Sequence, residues 1–424
     1  MTSEQLLHDI QSEILDEKLI EIYGIENLVK TKQRIFLLCE RFEAEFDRDA
    51  QVILISAPGR TEVGGNHTDH QRGRVLAAAV NMDVLALAAK NDSSIVRCRS
   101  DGFLIKDVDL EDTDVHENEK FTSEALLRGV SASLKALDLA VGGFDAVFTS
   151  TVLKGSGISS SAAFEVAIGT IFNHLFNQAS IAAPTIAKIA QAAENIYFGK
   201  PCGLMDQMAS AVGGFVGIDF FDPNQADVKK IDFDFTQSGY TLCIVDTGGS
   251  HEDLSNEYAN MPRDMKIVAH YFEKEVLSEV DPSRFFAEIA NLRPLVGDRA
   301  ILRAMHFFQE TDRVLEEIET LSSGDFNAFL ELMIESGRSS YMYLQNVINP
   351  LSTQQGLGLA LALSESYLQG RGGWRVHGGG LAGTIQVIVK NEDLNGYRQM
   401  IEEVFQKGSC HVMRIRTQGA IKIT

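Results

Sequence analysis

The 424-residue sequence has no CxxC pair and no cysteine and histidine spacing of the kind that holds a structural zinc. Its five cysteines, Cys39, Cys98, Cys202, Cys243 and Cys410, are scattered and odd in number, which argues against a disulfide framework and reads as reduced, buried thiols. A basic start followed by an apolar core is also missing. The opening MTSEQLLHDIQSEILDEKLI is acidic and amphipathic, and no run approaches the roughly 18 apolar residues of a membrane span. A cytoplasmic protein with no membrane partner is expected. Positive charge is scarce: 38 Lys and Arg against 59 Asp and Glu leave a net charge of -21, which repels nucleic acid and anionic lipid. An anionic substrate stays open, because a pocket holding a divalent metal is locally basic even on an acidic chain. Repeats and low-complexity linkers are absent, and at about 150 residues per domain the length predicts roughly two or three domains.

Residues 3 to 47 carry helical periodicity through Leu6, Ile10, Ile14 and Leu15, then Ile35, Leu38, Phe42 and Phe46. Strand-like runs follow at QVILISA, DVLALAAK, SIVRCRS and FDAVFTS, each bounded by Gly, Asn, Asp or Ser. TIAKIAQAAENIYFG begins after Pro184, stops at Gly199 and puts Ile186, Ile189, Ala193 and Ile196 on one face, predicting a helix over 185–198. Beyond it come a strand YTLCIVDT, long helical patterns over 262–345, a strand TIQVIVK, a helix EDLNGYRQMIEEVFQKG and a last strand HVMRIRTQ. The mixture predicts an α+β protein of two domains, 1–215 with an extra helical segment at its start and 216–424.

Three glycine-rich segments stand out. SAPGRTEVGGNHTDHQRGRVLAAAVNMD, residues 56–83, gathers arginine, histidine, aspartate and glycine between apolar runs. In STVLKGSGISSSAAFEVAIGTIFNHLFN a strand ends near Ser150, Gly155, Ser156 and Gly157 follow, and Ile158, Ser159, Ser160 and Ser161 lead into a helix. Ala162, Val166, Ile168 and Phe172 of that helix can face a core. Small residues let a phosphate approach the backbone, and the free amides at a helix start stabilise its charge. The same residues equally make a glycine turn with a serine N-cap, and neither the P-loop pattern nor GxGxxG fits. In RVHGGGLAGTIQVIVK, three consecutive glycines before a strand permit close backbone packing.

Taken together and in order, these segments resemble the GHMP kinases and, among them, the galactokinase family. APGRTEVGGNHTDHQRGRVL is similar to the galactokinase signature, GSGISSSAA to the family's ATP loop, and HGGGLAG to its third motif. ENIYFGKPCGLMDQMASAVGG resembles the segment that carries the catalytic aspartate, and SHEDLSNEYANMPR a sugar-site segment. The resemblance runs from about residue 35 to the end. It implies a two-domain GHMP kinase fold: an N-terminal domain like ribosomal protein S5 domain 2, a ferredoxin-like C-terminal domain, and an active site in the cleft between them.

The resemblance also implies roles. Asp206 would orient and deprotonate the sugar hydroxyl, and Arg60 would keep that aspartate ionised and stabilise the transferring phosphoryl group. ATP would lie on Gly155, Ser156, Gly157, Ile158, Ser159, Ser160 and Ser161, with Ser161 and Glu194 sharing Mg2+. Asn66, His67, Asp69, Gly203 and Tyr258 would contact the sugar. From the residues alone, His67, His70 and Asp69 also suggest zinc, but a third well-spaced ligand is missing. Four sites depart from the family pattern: Asn66 replaces a glutamate, His70 a tyrosine, Leu153 a proline, and Leu381 with Ala382 a phenylalanine and glycine. The counterpart of Asn66 contacts the sugar near its sixth carbon, so Asn66 predicts tolerance of galacturonate; Arg72 and Arg74 close by read first as a solvated loop, with added positive charge at the sugar as the alternative. The expectation is a monomeric ATP-dependent kinase for the anomeric hydroxyl of galactose or a close relative. A galacturonate kinase is the alternative within the family, and a sugar-sensing binding protein the alternative of another class. Retention of Asp206, Arg60, Glu194 and Ser161 speaks for catalysis.

Overall fold

Val52 to Ala57 form a nearly unbroken apolar run, and such a run needs both of its faces covered. In the computed structural model, which describes residues 1–101, 104–152, 158–222, 226–249 and 254–424, it opens a central strand. The first sheet contains β1 (Val52–Gly64), β2 (Arg74–Lys90), β3 (Ile95–Ser100), β4 (Val108–Asp109), β5 (Phe144–Ser150), β6 (Phe215–Asp219) and β7 (Asp227–Ile231). The second contains β8 (Tyr240–Asp246), β9 (Gly372–Val376), β10 (Thr384–Lys390) and β11 (Cys410–Met413), and β12 (Ile421–Lys422) returns to the first. The first sheet runs β12-β1-β2-β5-β3-β4, with β6 paired to the opening half of β2 and β7 beyond it. The second is antiparallel in the order β11-β8-β10-β9.

Alternation along β1 splits its side chains between two cores. Ile53, Ile55 and Ala57 join the core that also holds Val166 and Met208, from the helices Ser160–Phe176 and Met205–Val212. Val52 and Leu54 face the other way, toward Leu6, Ile10, Ile35, Leu38 and Phe42. The N-terminal helices Ser3–Gln11, Asp16–Tyr23 and Leu28–Glu45 therefore cover a sheet face that water would otherwise wet. Each large apolar side chain buried there contributes about 2 kcal/mol. Asp83, fully buried on β2, ties this layer down: Tyr23 and Ser56 donate to it, and Arg34 pairs with it at 2.9 Å. Arg416, close to the other end of the chain, sits 3.9 Å away and donates to Ser56.

Local structure departs from the sequence pattern in identifiable ways. Ile14 is 63% exposed because the first helix stops at Gln11 and the chain turns, with Glu13 at φ 60°, before the second begins. The helix expected over 185–198 is α-helical for Ala183–Ala192 and π-helical for Ala193–Phe198, and Gly199 ends it in the left-handed region. The wider π turn changes the phase. It leaves Ile196 exposed and buries Glu194. The pattern over 262–345 resolves into shorter helices, among them Ser255–Tyr271, Asp298–Ser323 and Phe326–Ser339. The division expected at 215 falls where β6 starts, and the first sheet continues to Ile231. Among the described residues no helix is long and apolar enough to cross a membrane.

Candidate active site

Side chains two apart on a strand share a face, so Arg60 and Glu62 of β1 line the same cavity of about 600 Å³. Irregular pairing with β2 on both sides, between Pro58 and Arg60 and between Glu62 and Gly64, bends the strand around this pair. Gly59 lets the strand approach the residue before the serine-rich helix start: a Cβ there would lie 2.7 Å from Ile158, whose carbonyl accepts from the Arg60 amide. The remaining walls come from the turn after β1 (Gly65, His67, Asp69, His70), from Lys200, Cys202, Gly203 and Asp206, and from Gly378 and Gly379 before β10. A second cavity of about 680 Å³, lined by residues such as Thr247, Asn349 and Leu357, contains none of the predicted site residues.

Asp206 stands in the first turn of the helix Met205–Val212. Arg60 reaches its Oδ1 through both Nε and Nη2 at 2.7 Å, and Ser159 donates to Oδ2. Burial alone would raise the pKa of this carboxyl, but the Arg60 charge and the Ser159 and Arg60 hydrogen bonds hold it below the ordinary aspartate value. Ser159 adopts φ 56° at the N-terminus of the helix Ser160–Phe176 and makes no side-chain cap there. A non-glycine residue in that region is strained, and here the strain turns its hydroxyl to Asp206. Gly155, Ser156 and Gly157 lie outside the described residues, as does Leu153. Ile158 and Ser160 follow as expected at the loop's end and the helix start.

Ser161 donates to Glu194 Oε1 at 3.0 Å, and Lys200 reaches the same oxygen at 3.2 Å. Magnesium takes few protein oxygens and completes its shell with phosphate and water, and this oxygen pair beside a helix start fits that demand. No cluster of three or more His, Cys, Asp or Glu suited to a metal occurs among the described residues, so phosphate and water would have to supply the other ligands. Sequence reasoning missed what lies behind the pair. Gln207 donates to Glu194 at 2.7 Å and to Glu165 at 3.2 Å. Glu165 is fully buried, and burial, reinforced by the Glu194 charge, pushes its pKa well above the usual carboxylate range.

The residues expected at the sugar divide. Asp69 and Gly203 face each other, since a Cβ on Gly203 would fall 2.7 Å from Asp69 Oδ2. His67 lines the cavity at φ 58°; its Nε2 donates to the Gly379 carbonyl at 3.0 Å, which leaves Nδ1 to accept from His70 at 2.9 Å. Burial, with the neighbouring His70, lowers its pKa to about 3, so its ring is neutral. Tyr258 backs the cavity: its ring lies against Gly379 and its hydroxyl donates to the Gly380 carbonyl.

Asn66 must be corrected. It is fully buried and does not line the cavity. Its amide donates to Glu62 and to the Gly378 carbonyl, both at 2.7 Å, while its oxygen accepts from Asn346 at 2.7 Å and Ser340 at 3.3 Å. Two donors and two acceptor sites are all that the side chain has, so none remains for a ligand. Arg72 and Arg74 are likewise directed elsewhere, paired with Glu279 at 2.8 Å and Asp219 at 2.7 Å. Glu62 is the cavity residue that sequence reading passed over, although its alternation with Arg60 was a signal that could have found it.

A strand-borne arginine paired with a helix-borne aspartate, next to a serine-rich helix start, is the layout of a small-molecule kinase of the GHMP type. Residues 125–214 match the model of the GHMP kinases N terminal domain, and residues 40–90 match the galactokinase galactose-binding signature. A galactokinase of Glaesserella parasuis serovar 5 (strain SH0165) is 31% identical over 374 residues, covering 87% of this chain and 92% of that protein. The crystal structure of Lactococcus lactis galactokinase complexed with galactose superposes with a TM-score of 0.77 at 22% identity, over 90% of this chain and 98% of that one. Methanococcus jannaschii mevalonate kinase superposes at 0.59 with 14% identity, over 87% and 99%. At those identities the two superpositions establish the fold. The chain belongs to the galactokinase family of GHMP kinases and is a galactokinase-like sugar kinase.

Proposed function

We propose that this kinase transfers the γ-phosphoryl group of ATP to the anomeric hydroxyl of galactose or a close neutral relative. The observation that carries this reading is the Arg60–Asp206 pair in a polar cavity beside the helix start Ser160–Phe176. The lowered pKa of Asp206 makes it a firm anion but a weak base. In a loose phosphoryl-transfer transition state little deprotonation is needed early, so Asp206 mainly holds the hydroxyl in line and takes its proton late. Arg60, beside that carboxylate, stabilises the charge on the transferring group. The helix start has no serine side-chain cap, which leaves amides for phosphate oxygens. Ser161 and Glu194 would hold magnesium, which neutralises phosphate charge when bound. A cytoplasmic setting fits this chemistry, because ATP is supplied there.

The burial of Asn66 and the pairing of Arg72 and Arg74 with carboxylates favour a neutral sugar over galacturonate. Purified protein given magnesium, ATP and galactose should release ADP in a coupled assay and yield an anomeric phosphate by phosphorus NMR. Absence of ADP release with galactose, N-acetylgalactosamine and arabinose alike would overturn the reading.

A further inference from the structure

Glu62 lies in the cavity but takes no part in the Arg60–Asp206 pair. It is 6% exposed, and one of its oxygens, Oε1, is occupied by Asn66 Nδ2 at 2.7 Å and Arg375 Nη2 at 2.9 Å. The other, Oε2, accepts no hydrogen bond among the described residues, and it is absent from the sealed, unpartnered atoms, which include both oxygens of Glu317 and Oε1 of Glu165. An accessible, unpartnered carboxylate oxygen in a polar cavity seeks a donor. A sugar hydroxyl supplies one, and a second carboxylate does not.

The surroundings sharpen this choice. Arg375 is fully buried, donates to the Val63 carbonyl as well as to Glu62, and so keeps a counterion on Glu62 without offering its own charge to the cavity. The cavity's own cations, Arg60 and Lys200, reach Asp206 and Glu194. The other carboxylate on the same wall, Asp69, is a further acceptor. We propose that Glu62 is the specificity-determining residue of this site: its open oxygen accepts a hydroxyl of a neutral sugar, and its charge shuts out a uronate. Asn66 is then a positioning residue, acting on the substrate only through the hydrogen bond that fixes Glu62.

The proposal rests on the sugar-kinase reading above, and the test separates the two. kcat and KM are measured for galactose and for galacturonate with the full chain and with Glu62→Gln, whose folding is checked by circular dichroism and melting. Wild type should use galactose at about a hundredfold or more the efficiency of galacturonate. In Glu62→Gln that ratio should fall about tenfold or more, mainly through a higher KM for galactose. A general loss of structure would lower both efficiencies together and leave their ratio unmoved. A ratio that changes less than about threefold in a folded variant, while wild type phosphorylates galactose, overturns the role of Glu62 and leaves the kinase reading standing. If the variant does not fold, the wild-type ratio decides: galacturonate within about tenfold of galactose overturns the proposal, and a hundredfold preference upholds it. No turnover of either sugar overturns both.

Discussion

Arg60 reaches a single oxygen of Asp206 twice, with Nε and Nη2 each 2.7 Å from Oδ1, while the Ser159 hydroxyl holds the other oxygen. Such a carboxylate is fixed in direction as well as in charge.

Removing the arginine should therefore move the acid limit of activity. With Arg60→Ala, burial is no longer opposed by the neighbouring charge, and the pKa of Asp206 rises. The acid limb of the kcat profile should shift upward by about one pH unit or more, with a lower plateau. Superimposable profiles would separate Arg60 from the ionisation of Asp206.

Ser161→Ala deletes one of the two oxygens proposed for magnesium, which stand 3.0 Å apart, and Glu194→Gln takes the charge from the other. Titration of magnesium at saturating ATP should give half-maximal rates at about tenfold higher metal in either variant. Unchanged titrations in both would remove the pair from the site.

Asp83→Asn tests the anchor of the N-terminal layer. It leaves Arg34 and Arg416 buried against a neutral group, which costs about 3–5 kcal/mol. Denaturant unfolding should show a loss of that size, with the N-terminal helices becoming sensitive to proteolysis first. A loss below about 1 kcal/mol would mean that apolar packing alone holds them.

Glu310 supplies a pH signature. It accepts from the amides of Gly65 and Asn66 at 3.1 and 3.3 Å and so holds the turn that carries His67 and Asp69. Burial alone would raise its pKa, but His306, Arg375 and Arg313 around it bring it to about 2. The folded value lies below the unfolded one of about 4.3, so its contribution is full above that pH and is lost as pH falls toward 2. The stability difference between wild type and Glu310→Gln should shrink over that window on acidification. A difference independent of pH there would show that Glu310 is not ionised in the fold.

Much of this was legible in the chain. The apolar runs at 51–57, 83–90, 144–150, 240–247 and 384–390 all became strands, because runs of that kind pack in sheet interiors wherever they fall. The signature stretch was harder, since its glycines and polar groups carry no strand pattern, yet Arg60 to Gly64 and Arg74 to Met82 extend β1 and β2. A sheet shared by distant segments hid β12 as well: two residues near the end of the chain carry no pattern of their own and find their place only against β1. Motif position placed Asp206, Arg60, Ser161 and Glu194 together. It could not tell which way Asn66 points, because that depends on Asn346, Ser340 and Gly378, some 274 to 312 residues further along the chain.

The central claim, that Asp206 aligns a sugar hydroxyl for phosphoryl transfer, is tested most directly by the single-turnover rate with galactose in wild type and Asp206→Asn. The side chain keeps its size and a weaker contact to Arg60 but loses its charge. The rate should fall by about a thousandfold or more, with ATP affinity and melting temperature nearly unchanged. A variant that phosphorylates galactose within about tenfold of the wild-type rate would contradict the account.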